Sequence, residues 1–95
     1  MRGYVIADVE VTDPELFEQY RAQVSATIAK YGGRYLVRGG KTESPEGGWT
    51  PRRLIVLEFE SLARAKEWYD SPEYRPLIEL RKRSAKTQIV FSEGM

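Results

Sequence analysis

The chain has 95 residues and a nearly even charge balance, with 15 Lys and Arg against 14 Asp and Glu. A chain of this length forms one hydrophobic core, so we expect a single domain over residues 1–95. It contains no cysteine and no histidine, which excludes disulfides, histidine-based catalysis and Cys- or His-ligated metal sites within one chain. We therefore expect no metal and no cofactor, and any acid–base group must be Asp, Glu, Tyr or Lys.

The charge and hydropathy patterns predict neither a nucleic-acid partner nor a membrane partner. The one basic cluster, Arg81-Lys82-Arg83 with Lys86, falls near the end of a predicted helix, where cations complement the helix dipole and stay in water. No apolar run approaches the ~20 residues of a membrane span, and the N-terminus lacks a signal-peptide pattern. With no cysteine and no export signal, the expected location is the cytoplasm.

The elements predicted in chain order alternate between strand and helix. Strands are indicated by β-branched and aromatic residues, and helices by apolar residues at three- and four-residue spacing. The predicted elements are strand Tyr4–Val11, a helix from Pro14 that stops at Gly32, strand Arg34–Arg38, strand Arg53–Glu60, a helix capped by Ser61, a further helical stretch after Ser71-Pro72, and strand Gln88–Phe91.

Residues that begin, end or interrupt secondary structure refine the bounds of these predicted elements. Asp13 is a candidate helix cap with Pro14 at the first helical position, and Gly32 is suited to the left-handed residue that closes the helix. Gly39-Gly40 marks a place where a strand bulges or a ligand approaches the backbone. Pro76 predicts a kink, or a regular helix that begins only near this residue. Residues 92–95 are expected to fray.

The order strand-helix-strand-strand-helix-strand is that of an α+β, ferredoxin-like βαββαβ fold. Right-handed crossovers give an antiparallel sheet of order 4-1-3-2 with both helices on one face. The strands are apolar on both faces, so a bare face of roughly 330 Å² remains. Because soluble monomers seldom expose a larger patch, we expect a homodimer joined through this face.

Five pieces of the chain closely resemble a known bacterial family, the domain of unknown function 1330, which belongs to the dimeric α+β barrel superfamily. In order they are Tyr4-Val5-Ile6-Ala7, Thr12-Asp13-Pro14, Gly32 to Gly40, Leu57-Glu58-Phe59 and Trp68 to Tyr74. The resemblance covers nearly the whole chain and implies a fold and a dimer, without a reaction. It also implies ligands between a protomer's sheet and its helices, as in the superfamily's monooxygenases and isomerases. Many of these use a histidine, so their chemistry is not carried over.

A candidate ligand site centres on Arg38. Folding the hairpin about Gly47-Gly48 places Arg38 opposite Glu58 on one face of neighbouring strands. This pair is either a structural ion pair across the strands, or an anion clamp in which Glu58 holds the guanidinium of Arg38 over a cavity.

Aromatic side chains extend this candidate site. Tyr20, Trp68 and Tyr74 are either core residues or the wall of a ligand cavity, because buried hydroxyl and indole groups need partners. Asp8 and Glu10 are oddities on an apolar strand. Each is either a group with a raised pKa and a role in acid–base catalysis, or part of an exposed strand end.

Three functions remain open, and catalytic residues stay unassigned. The first is a barrel that binds a small organic ligand, aromatic or carboxylate-bearing, between sheet and helices. The second is a cofactor-free monooxygenase-like or isomerase-like enzyme, which a buried carboxylate or tyrosine facing the cavity would indicate. The third is a structural or interaction module with no cavity.

Overall fold

The computed structural model describes all 95 residues. Its seven elements are β1 Gly3–Val11, α1 Pro14–Lys30, β2 Arg34–Arg38, β3 Leu54–Phe59, α2 Leu62–Tyr69, α3 Arg75–Ser84 and β4 Ala85–Glu93. All strand pairs are antiparallel, and the sheet order is β2-β3-β1-β4, which confirms the predicted ferredoxin-like arrangement. None of the three helices combines the length and the hydrophobicity that a membrane span requires.

The ends of the helices follow from short-range chemistry. The Asp13 carboxylate accepts a hydrogen bond from the Leu16 amide at 3.1 Å, and the Ser61 hydroxyl accepts one from the Arg64 amide at 3.0 Å. Both bonds satisfy amides that have no partner inside the helix. Gly32 has a φ of 75° just after α1, so the predicted glycine stop is confirmed. The regular helix α3 begins at Arg75, directly before Pro76.

The C-terminal strand is longer than the sequence pattern predicts. Strand β4 begins at Ala85 instead of Gln88 and continues to Glu93, so the expected fraying from residue 92 is wrong at its start. The reason lies in β1, which pairs with β4 from Val11–Ala85 to Gly3–Glu93. Nine residues of β1 offer backbone partners, and the ladder is filled regardless of the side chains of β4.

The two faces of the sheet are unequal. One face packs under the helices and buries Val5, Ala7 and Val9 of β1. The other face carries an apolar row that runs across all four strands through directly paired residues. We call this row the open-face stripe; it consists of Val37, Val56, Ile6 and Val90. Val90 is 57% exposed in the single chain.

Candidate functional site

Arg38 does not pair with Glu58, and the predicted pair is wrong. The observed register sets Arg34 opposite Glu58 and Arg38 opposite Ile55, with an irregularity between Tyr35 and Val37. This β-bulge inserts one extra residue, so side chains that alternate before it change faces after it. Arg34 and Arg38, four residues apart, therefore lie on opposite faces of the sheet. Arg38 lies on the helix side.

The length of the connection explains why the register was missed. A tight turn fixes the pairing of a hairpin, but residues 39–53 separate the two strands. The strands therefore pair according to which side chains they bury, and the glycines at positions 47 and 48 do not set the register.

Glu58 belongs to a polar group on the open face. Its carboxylate accepts hydrogen bonds from Arg34 Nε at 2.9 Å and from the Tyr4 hydroxyl at 3.0 Å. The bond from Arg34 lowers the pKa of Glu58, against the opposing effect of burial. This carboxylate is structural, and it takes no part in the cavity described next.

A cavity of about 60 Å³ lies between the sheet and the helices. Four of the five predicted site residues line it, namely Arg38, Tyr20, Trp68 and Tyr74. Most of the wall is apolar, and the polar part is unusual. The cavity is lined by four arginines, Arg21, Arg38, Arg53 and Arg81, and by no Asp or Glu. In a chain with a formal net charge of only +1, this is a strong local concentration of positive charge.

Three of these arginines form the mouth of the cavity. Arg21 and Arg38 are exposed and Arg53 is partly exposed. Arg38 stacks on the Tyr35 ring, 4.5 Å from its centroid, and its Nη2 lies 3.4 Å from Ser25 Oγ. Burial and the charges of Arg21 and Arg38 lower the pKa of Arg53. Only Arg21 has a carboxylate partner, Glu18 at 3.2 Å, so the mouth attracts anions.

A glycine makes room for this group of arginines. Gly39 has a φ of 70°, and a Cβ at this position would lie 2.7 Å from Arg53 Nη1. The backbone therefore passes directly against the guanidinium of Arg53. The sequence predicted a bulge or a ligand beside this glycine. Arg53 occupies the space there, and the bulge lies earlier in the strand, near Leu36.

The fourth arginine lies inside. Arg81 is only 6% exposed, and its Nη1 donates to the Tyr74 hydroxyl at 2.8 Å. The Tyr74 hydroxyl lies 2.8 Å from that of Tyr20. Burial raises the pKa of both tyrosines, so they stay protonated at neutral pH. Although burial disfavours a cation, the oxygens of Tyr74 and Tyr20 raise the pKa of Arg81. The result is a buried, charged guanidinium with no carboxylate beside it.

The aromatic residues serve both packing and the cavity wall, so the two alternatives from the sequence are not exclusive. Trp68 and Tyr74 are 2% and 1% exposed, with ring centroids 4.1 Å apart. The indole Nε1 of Trp68 donates to Thr27 Oγ1 at 3.0 Å. These contacts fix the rings, and a rigid wall is what a binding cavity needs.

The two carboxylates of β1 lie away from the cavity. Asp8 accepts hydrogen bonds from Trp49 Nε1 at 3.2 Å and from the Arg52 amide at 3.0 Å, and thereby ties down the connection between β2 and β3. Glu10 is exposed. Of the two alternatives, an exposed strand end therefore describes Glu10. Asp8 instead anchors the loop between β2 and β3.

Sequence reasoning missed Arg21, Arg53 and Arg81. The helical period offers a signal for Arg81, because Leu77, Ile78 and Arg81 recur at three- and four-residue spacing, and all three are buried. Its neighbours Lys82 and Arg83 are exposed, as predicted. No comparable signal marks Arg53, whose place depends on Gly39 across the sheet.

Comparison with solved structures finds the same fold at low sequence identity. A protein of unknown function from Rhodopseudomonas palustris is similar at a TM-score of 0.77 and 15% identity, covering 99% of this chain and 82% of that one. A dimeric ferredoxin-like protein of unknown function from Jannaschia sp. CCS1 is similar at a TM-score of 0.72 and 12% identity, covering 99% and 100%. SnoaB, a cofactor-independent oxygenase from Streptomyces nogalater, is similar at a TM-score of 0.67 and 12% identity, covering 99% of this chain and 93% of that one.

Sequence comparison is more specific. No curated protein matches the chain. The model of one family, described as a domain of unknown function (DUF1330), matches residues 2–95. The match covers all seven elements and every residue of the cavity wall, so the resemblance inferred from the sequence is confirmed. The chain belongs to the DUF1330 family.

Proposed function

We propose that this protein binds a small organic anion, a carboxylic acid with an apolar or aromatic body, in the cavity between its sheet and its helices. The observation that carries the proposal is the composition of the cavity wall, with four arginines and no carboxylate. Arginine is the side chain best suited to hold a carboxylate through two parallel hydrogen bonds. The mouth supplies two such groups without an acidic partner, Arg38 and Arg53.

The size of the cavity restricts the ligand. Drug-sized ligands occupy about 300–1,000 Å³, whereas this cavity measures about 60 Å³. A fitting ligand is either a slender acid or one that places only part of its body between the rings. Its carboxylate then stays at the mouth near Arg38, where the exposed arginines meet solvent.

We further propose that two copies assemble through the open-face stripe. All three helices cover the other face, and Val56 and Ile6 are only partly buried within the chain. A second copy of the same sheet offers a matching apolar row under a twofold axis. The similar protein from Jannaschia is described as dimeric, which supports a dimer here.

An enzymatic role is the alternative. Tyr20 and Tyr74 line the cavity, and tyrosines facing the cavity are one of the signs expected of such an enzyme. SnoaB, which has the same fold, is described as a cofactor-independent oxygenase. With raised pKa values, both hydroxyls keep their protons instead of removing one from a substrate. One of these protons makes the Tyr20–Tyr74 hydrogen bond, and the other is free to be donated to a ligand oxygen. An enzyme built on this cavity would therefore act by stabilising negative charge on its substrate.

Titration calorimetry with matched acids and amides tests the binding proposal. Wild type is titrated with benzoate and pentanoate, and with the neutral isosteres benzamide and pentanamide. We expect at least one acid to bind and its amide to bind much more weakly. Arg38→Met keeps most of the length of the side chain and removes its donors, so we expect affinity for the acid to fall about tenfold or more.

Arg34→Met is the matched control, because Arg34 lies on the same strand and faces the other side of the sheet. We expect it to lose stability, since Glu58 loses its cation, and to bind the acid as wild type does. Equal affinity for acid and amide, or an Arg38→Met variant that binds as well as wild type, would count against the proposal.

A further inference from the structure

Two polar groups in the cavity wall make no hydrogen bond within the protein. They are Arg81 Nε, on α3, and Thr87 Oγ1, on β4, and both are buried from solvent. Nearly all buried donors in folded proteins have a partner. Both residues line the same cavity, although they come from different elements of the fold.

The charge of Arg81 argues against a role that is limited to filling space in the core. An ionised group buried without a counter-ion is costly, and an apolar side chain of similar length would avoid that cost. The tyrosine hydroxyls beside Arg81 offer partial negative charge but no full charge. A water molecule would accept a bond from Nε, yet it would leave the charge unbalanced.

We propose that Arg81 and Thr87 form an inner subsite, which binds a second ligand oxygen that carries full or partial negative charge, such as a carbonyl, enolate or phenolate oxygen. This inference rests on the proposed function, because it takes the carboxylate of the same ligand to lie at the mouth. The Nε–H group can only donate, and the threonine hydroxyl can donate too, so an oxygen acceptor fits both. The ligand class becomes oxo- or hydroxy-substituted organic acids.

The Tyr74–Tyr20 pair completes this subsite. Tyr74 accepts from Arg81 and lies within hydrogen-bond distance of Tyr20, which holds the guanidinium in one orientation. A fixed donor loses little freedom when a ligand binds. Arg81 is in this view a binding residue, and the tyrosines are positioning residues.

Paired probes separate the inner subsite from the mouth. Benzoate is compared with 4-hydroxybenzoate, and pentanoate with 4-oxopentanoate, so that each pair shares a carboxylate and differs in one distal oxygen. We expect wild type to prefer the member with the extra oxygen. Arg81→Met should reduce this preference roughly tenfold or more, Thr87→Val should reduce it less, and Arg38→Met should weaken both members alike.

Melting temperature provides the second readout. Arg81→Met removes an unbalanced buried charge and leaves the Tyr20–Tyr74 bond in place, so it should melt at or above the wild-type temperature. A merely structural arginine would give a clear loss. If wild type binds the acids but shows no preference within either pair, or if Arg81→Met keeps the preference, the inner subsite is overturned and the binding function stands. If wild type binds no probe, both proposals fail.

Discussion

Buried polar side chains in this protein are of two kinds at the scale of single residues. Thr27 and Trp68 are partnered: the indole donates to Thr27 Oγ1, which in turn donates to the Val24 carbonyl at 2.7 Å. Thr87 and Arg81 each leave one buried atom without a partner. Partnered groups contribute to stability, and an unpartnered group lowers it. A loss of stability from unpartnered polar groups is expected at sites that bind ligands.

Two threonines test this distinction with the same chemical change. Thr27→Val leaves the Trp68 N–H buried without an acceptor, so we expect the free energy of unfolding to fall by about 1–3 kcal/mol. Thr87→Val removes a hydroxyl that has no partner in the protein, and we expect little loss. Urea denaturation of both variants measures the difference. Equal losses in the two variants would contradict it.

The position and partners of a residue were predictable from the sequence where its close neighbours in the chain determine them. They were not predictable where contacts between distant elements determine them. Asp13 caps α1 because the amides it satisfies are three positions away. Arg38 lines the cavity, but the sequence paired it with the wrong acid. Arg81 was placed in water because a basic residue near a helix end usually stays there, and its burial depends on the strands packed beneath α3.

At the scale of elements, β2 decides where the site lies. A regular strand would carry Tyr35 and Arg38 on opposite faces, since they are three residues apart. The bulge near Leu36 brings both to the helix side, where Arg38 stacks on Tyr35. The order and number of strands follow from hydrophobic pattern and turn residues, which is why the fold was predictable. A one-residue bulge leaves no comparable trace in the pattern.

At the scale of the whole molecule, the two proposals assign separate tasks to the helix side and to the open face of the sheet. The principal extents of the chain are 36 × 34 × 16 Å, so the chain is a thin slab with the cavity on one side of its sheet. The open-face stripe lies on the other side. Assembly through this stripe leaves the cavity mouth free, so binding and dimerisation do not compete for a surface.

We expect the wild type to sediment at twice the 10.9 kDa mass of the chain. Val56→Lys places a charge at the centre of the open-face stripe, where a second sheet would have to desolvate it, and should shift the species to the monomer mass. Ala26→Lys, on an exposed position of α1, is the control and should remain dimeric. A wild type that sediments as a monomer at micromolar concentration would exclude the assembly.

The central claim is that the cavity holds an organic anion between its arginines. The guanidinium Nε–H resonances of arginines can be followed by nitrogen-15 NMR during titration of the wild type with 4-hydroxybenzoate, with benzamide as the neutral control. We predict that the acid shifts the signals of Arg38 and Arg81 with one common dissociation constant and that benzamide shifts neither. Shifts confined to arginines outside the cavity, such as Arg34 and Arg52, or equal shifts with benzamide, would contradict the claim.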